Sequence, residues 1–155
     1  MRVLIQRVTR AEVTVEAERV GAIERGLLLF VGVTHDDDDA AIDLIAHKVA
    51  NLRIFPDAAD QMNRSALDRA SAGDTVGLLV VPQFTLYADT RHGRRPSFTS
   101  AAPPDRAAPL IDRLIERLTS LGLPVASGRF GAKMAVSLVN DGPVTIWLDT
   151  ADLRR

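Results

Sequence analysis

The chain has 155 residues, 46% hydrophobic and 25% charged, which fits one globular domain spanning residues 1–155 and excludes general disorder. Its 19 basic and 20 acidic residues leave a net charge of −1, so a histone-like coat on nucleic acid is excluded and any such contact is local. No cysteine is present, which removes disulfides, thiolate catalysis and Cys-based zinc sites and fits a cytoplasmic protein.

The opening MRVLIQRVTR is broken by Gln6, Arg7 and Arg10 and is no signal peptide. Val3, Ile5 and Val8 begin a strand-like alternation, and residues 11–16 repeat it with Val13 and Val15 on one face. Gly21 is expected in the turn that follows. Residues 26–33, GLLLFVGV, form a continuous apolar run that predicts a strand buried on both faces. After His35 and Asp36–Asp39, the spacing of Ile42, Ile45, Val49 and Leu52 predicts a helix over 38–52, with acids at its positive end. Residues 57–73 read as an irregular excursion and 75–82 as another buried strand. Neither apolar run is long enough to cross a bilayer.

Residues 83–103 are rich in Arg, Pro, Gly and Ser, and a loop of that length in a small domain is usually functional. Leu110, Ile111, Leu114, Ile115, Leu118 and Leu121 then mark a second helix, which Pro109 delays or bends. Two closing strands are expected at 132–139 and 144–149, joined by a turn at 140–143. Helices that do not alternate with strands predict an α+β fold: an antiparallel or mixed sheet closing into a barrel-like domain, with two or three helices packed outside.

No GxSxG, Walker, HExxH or GxGxxG motif is present. The HDDDD run lacks the spacing of a calcium loop and reads as a solvated helix start. His47 falls off the apolar stripe and reads as a surface residue. Asp89, His92 and Ser97 are the right residue types for a triad, but one short loop cannot hold that geometry rigidly. Arg91, Arg94 and Arg95 around Gly93 suit phosphate binding, with a solvated basic loop as the equal alternative. Gln83 and Thr85, beside Phe84 at a strand end, can orient a polar substrate, or Phe84 is core and its neighbours face water.

Taken together the segments LIQRVTRAEVTVE, GLLLFVGV, NLRIF, QFTLYADTRHGRRPSF, PDRA, GRFGAKM and VSLVNDGPVT resemble the D-aminoacyl-tRNA deacylase family from end to end. One signature motif of that family, Asn-Xaa-Gly-Pro-Val-Thr, is intact as Asn140–Thr145; in the other, Ser-Gln-Phe-Thr, Pro82 replaces Ser ahead of Gln83, Phe84 and Thr85. Proline there is similar to a related branch that acts on mischarged L-aminoacyl-tRNA.

The resemblance implies a homodimer of barrel-like subunits acting on the acceptor end of aminoacylated tRNA, with no cofactor, metal, DNA or membrane involved. It implies that Gln83, Phe84 and Thr85 form the catalytic motif. It further implies a cis Gly142–Pro143 bond inserted into the partner's site to hold the substrate amino group and reject L side chains. Arg7, Asn140, Val144 and Thr145 would support that dipeptide, Arg7 from across the interface. Phe130 and Met134 would line the pocket for the terminal adenosine, and Arg91, Arg94 and Arg95 would meet tRNA phosphates. A deacylase of mischarged L-aminoacyl-tRNA and a non-catalytic tRNA-binding module remain as alternatives.

Overall fold

A computed structural model describes residues 1–153. β1, Arg2–Val15, runs unbroken through both segments of the opening alternation. Its pairing with the C-terminal strand shifts register on both sides of Val8. Val3 and Ile5 therefore face one core, and Val8, Ala11 and Val13 another, so one bulged strand reads as two.

The chain reverses at Glu16 and Ala17, with φ of 49° and 66°, and returns as β2, Glu18–Ile23. A two-residue hairpin turn needs such left-handed backbone, normally from Gly, Asn or Asp. Neither residue is one of these, so the turn carries no signal. Gly21 lies inside β2, opposite Val13, rather than in a turn.

β3, Gly26–Gly32, pairs antiparallel with β1 and parallel with β6, Gly77–Pro82. β7, Val125–Ser127, adds to β6 in parallel, and β8, Ala135–Asp149, takes the other edge of β1. The two ends of the sheet then meet. A Cβ on Gly21 would stand 2.4 Å from the Ser127 carbonyl oxygen, so only glycine lets β2 lie against β7. The result is the expected barrel-like α+β domain, with a mixed sheet.

Two apolar layers hold it. Leu28, Leu79 and Val81 point into the barrel with Val8 and Val13. Leu27, Leu29, Leu78 and Val80 point outward onto the helices. These alternate burials explain why both strands read as unbroken apolar runs.

Four helices are present among the described residues, against two or three expected. α1, Asp39–Asn51, is capped by Asp38, whose side chain accepts from the Ala41 N–H at 3.0 Å. α3, Pro104–Ser120, packs on it, with Arg113–Asp39 and Arg117–Asp43 ion pairs at 3.1 and 2.8 Å. Pro109 sits within α3 rather than at its start. Pro104 and the Pro103 carbonyl open the helix, the latter accepting from Arg106 and Ala107.

The segment read as irregular holds the two-stranded β4 and β5, Phe55–Pro56 and Met62–Arg64, and α2, Ala66–Ser71. Ser65 and Asp68 form a reciprocal capping box there, a pattern legible in the sequence. α4, Thr150–Leu153, follows β8.

The last correction concerns residues 140–143, which are not a hairpin turn. β8 continues through them. Gln6 pairs with Thr145 and Val8 with Asn140, so residues 141–144 bulge out opposite the single residue Arg7.

Candidate active site

A pocket of about 600 Å³ opens where the parallel strands β3 and β6 end against the start of α3. Pro82, Gln83 and Phe84 form part of its wall, and Phe130 and Met134 line it as well. Phe84 is 58% exposed and meets Phe98 edge-to-face, with ring centroids 5.0 Å apart. Phe84 is therefore not core. Phe98 carries no periodic signal in its irregular loop, and sequence reasoning passed it by.

The Gln83–Thr85 motif is fixed from its backbone. Gln83 N–H donates to the Val31 carbonyl at 2.7 Å, extending the β3–β6 ladder by one bond. The chain then tightens into a 3-10 turn, Phe84–Tyr87. Arg2 steadies its far end, donating to the Leu86 carbonyl at 2.9 Å with its guanidinium 4.4 Å from the Tyr87 ring centroid. Burial, then the carboxylates of Asp37 and Asp149, raise the Tyr87 phenol above its ordinary value, so it stays protonated.

Gln83 Nε2 donates to Thr85 Oγ1. Thr85 itself does not line the pocket. Among the described residues, no base is hydrogen-bonded to its hydroxyl.

Arg7, Asn140, Gly142, Pro143, Val144 and Thr145 form a second cluster at the β8 bulge. The Gly142–Pro143 bond is cis and Gly142 has φ +117°, a conformation that favours glycine. A Cβ there would also stand 3.0 Å from both Arg7 Nη2 and Val144 Cγ2.

Asn140 Nδ2 donates to the Arg7 and Val144 carbonyls at 2.9 and 3.0 Å, tying the two sides of the bulge. Thr145 Oγ1 donates to Asn140 Oδ1 at 3.3 Å. Buried Arg7 donates through Nη1 to the Ile54 carbonyl at 2.6 Å. Its Nε lies 3.1 Å from Asp141 Oδ2 of the same chain. None of these motif residues lines the pocket.

The basic loop carries an exposed ion pair of its own. Arg91 grips Asp89 through Nε and Nη2 at 2.9 and 2.6 Å. That side-chain contact, with the Arg91 N–H, holds the Asp89 carboxyl down to about 2. Arg94 and Arg95 are exposed, and their side chains form no hydrogen bond or ion pair among the described residues.

Asp89 and Ser97 are joined only through their backbones. The Ser97 hydroxyl bonds to Thr99 Oγ1 at 3.3 Å, so no triad forms with His92. His47 is exposed. The acidic run is not uniformly solvated. Asp37 is 3% exposed and binds the Met1 amino group and the Thr34 N–H, the latter at 2.8 Å. No group of three metal-ligating side chains occurs among the described residues, and no described helix is long and apolar enough to cross a membrane.

The sequence profile of D-Tyr-tRNA(Tyr) deacylase matches residues 4–149. A D-aminoacyl-tRNA deacylase of Thermomicrobium roseum is 60% identical over 99% of this chain and 97% of its own. One of Paracoccus denitrificans is 57% identical over 98% and 99%. Among solved structures, a c-Myc DNA unwinding element binding protein superposes with TM-score 0.87 at 35% identity, covering 96% of this chain and 98% of its own. A probable eukaryotic D-amino acid tRNA deacylase shares the fold, with TM-score 0.82 at 20% identity over 95% and 97%. The protein is thus an enzyme of the hydrolase class. It belongs to the D-Tyr-tRNA(Tyr) deacylase family.

Proposed function

We propose that the protein hydrolyses the ester bond of D-aminoacyl-tRNA, releasing the D-amino acid and tRNA. In this reading it also clears glycyl-tRNA and spares L-aminoacyl-tRNA. The observation that carries it is the family match over residues 4–149, which spans both clusters of motif residues.

The largely apolar pocket suits the terminal adenosine, which would pack against Phe130 and Met134. Gly142 and Pro143 do not line their own subunit's pocket. That separation supports a homodimer in which the bulge completes the partner's site. The dipeptide's carbonyls would hold the substrate amino group, leaving no room for an L side chain.

An aminoacyl ester is already activated, so positioning and backbone donors can supply the modest acceleration needed. The N–H groups of the pocket residue Phe84 and of Thr85, just behind the wall, open the 3-10 turn without partners inside it. They would stabilise the oxyanion formed when water attacks the carbonyl carbon. The departing 3′-oxygen takes a proton, and the neighbouring ribose 2′-hydroxyl would assist the water. No base among the described residues is bonded to Thr85, so its bond with Gln83 makes it a positioning group.

Pro82 offers no hydroxyl at the pocket wall, so the scheme uses none there. Incubation with D-Tyr-tRNA tests the reading. Multiple turnovers are expected, whereas binding without turnover would leave a tRNA-binding module.

A further inference from the structure

We infer that Asp141, at the position the family signature leaves open, is a positioning residue whose ion pair with buried Arg7 sets the Gly142–Pro143 backbone and hence the rejection of L substrates. The inference rests on the role proposed above for that dipeptide. Arg7 is 9% exposed and spends Nη1 on the Ile54 carbonyl at 2.6 Å. Its Nε lies 3.1 Å from Asp141 Oδ2 but off the line of a hydrogen bond, so that buried N–H has no hydrogen-bond partner. The contact is one of charge more than of hydrogen bonding. A buried guanidinium needs it, because an uncompensated charge there is strongly unfavourable.

The remaining nitrogen, Nη2, abuts Gly142: a Cβ on that residue would lie 3.0 Å away. Asn140 holds the bulge through the Arg7 backbone, and Asp141 holds it through the Arg7 side chain. Without the Asp141 carboxylate, the guanidinium beside Gly142 loses its charge partner, and the dipeptide, whose carbonyls are the acceptors assigned to the substrate amino group, is free to shift. Those carbonyls would then be displaced, and the clash with an L side chain relaxed.

The test compares Asp141→Asn, Asp141→Ala and Asp141→Glu in the full chain. The first readout is the ratio of kcat/KM on L-Tyr-tRNA to that on D-Tyr-tRNA, which does not depend on the folded fraction. Asn and Ala should raise it about tenfold, while Glu, which keeps the charge, should stay within about threefold of wild type. The second readout is amide hydrogen exchange at residues 141–145, expected to quicken in the Asn variant but not in the Glu variant. A purely structural role would lower activity on both substrates and leave the ratio fixed. An unchanged ratio in both the Asn and Ala variants overturns the inference, whatever the exchange shows. If wild type itself fails to discriminate, the chiral reading falls, and the exchange readout still decides whether Asp141 orders the bulge.

Discussion

At the scale of single residues, the chemistry turns on which side chains are already committed. Thr85 accepts from Gln83 and is bonded to no base among the described residues, so its hydroxyl stays a weak nucleophile. Thr85→Ala should retain activity within about tenfold of wild type, and no acyl-enzyme should accumulate in wild type. A substrate ending in 2′-deoxyadenosine should react far more slowly than the all-ribose one. Rapid quench of both reactions checks this, and a dead Thr85→Ala with normal 2′-deoxy turnover would instead make Thr85 the nucleophile.

Arg91 is committed too. Its Asp89 partner, held down to about 2 by that contact, stays ionised at neutral pH, so Arg94 and Arg95 are the loop's unpaired arginines among the described residues. Two single-strand contacts imply a log–log salt slope of roughly −1.4, and Asp89→Asn, by releasing Arg91, should steepen it to roughly −2. Filter binding across a salt series measures both. The composition of the loop was legible in sequence; the pairing of one arginine was not, because it depends on how the loop closes at Asp89 and Ser97.

At the scale of elements, close approach rather than periodicity decides how the barrel shuts. Gly26 would place a Cβ 1.8 Å from the Gly77 carbonyl oxygen, and Gly21 would place one 2.4 Å from that of Ser127. Gly21→Ala should therefore destabilise by about 1–3 kcal/mol, the usual range for overpacking. For a domain this size that lowers Tm by roughly 2–12 °C, readable by calorimetry.

The buried strands and both long helices could be read from their apolar patterns because each faces one continuous core. The β1–β2 hairpin could not, since Glu16 and Ala17 adopt left-handed backbone without the residues that announce it. Nor could the β8 bulge: Asn-Asp-Gly-Pro is good turn chemistry, and only pairing with β1 on both sides shows the strand running on. The capping box at Ser65 and Asp68 was readable and was missed behind the polar composition around it.

At the scale of the whole molecule, the two motif clusters are separate in one chain, and the proposed enzyme is complete only as a pair. Mixing a Gly142→Ala subunit with a Phe84→Ala subunit, each expected to be poorly active alone, should then recover activity. Each mixed dimer keeps one intact site, so random exchange should return about a quarter of the wild-type rate. Subunit exchange that restores nothing would confine each site to one chain. The family was legible because its motifs run the length of the sequence. What separates them in space was not, since it follows from the sheet order. The account as a whole rests on chiral selection. Its most direct test is single-turnover hydrolysis of D-Tyr-tRNA and L-Tyr-tRNA, matched in every other respect, by the wild-type protein. The account predicts a D preference of at least about 10³, which needs only ~4 kcal/mol of differential transition-state binding. Comparable rates on the two esters would contradict it.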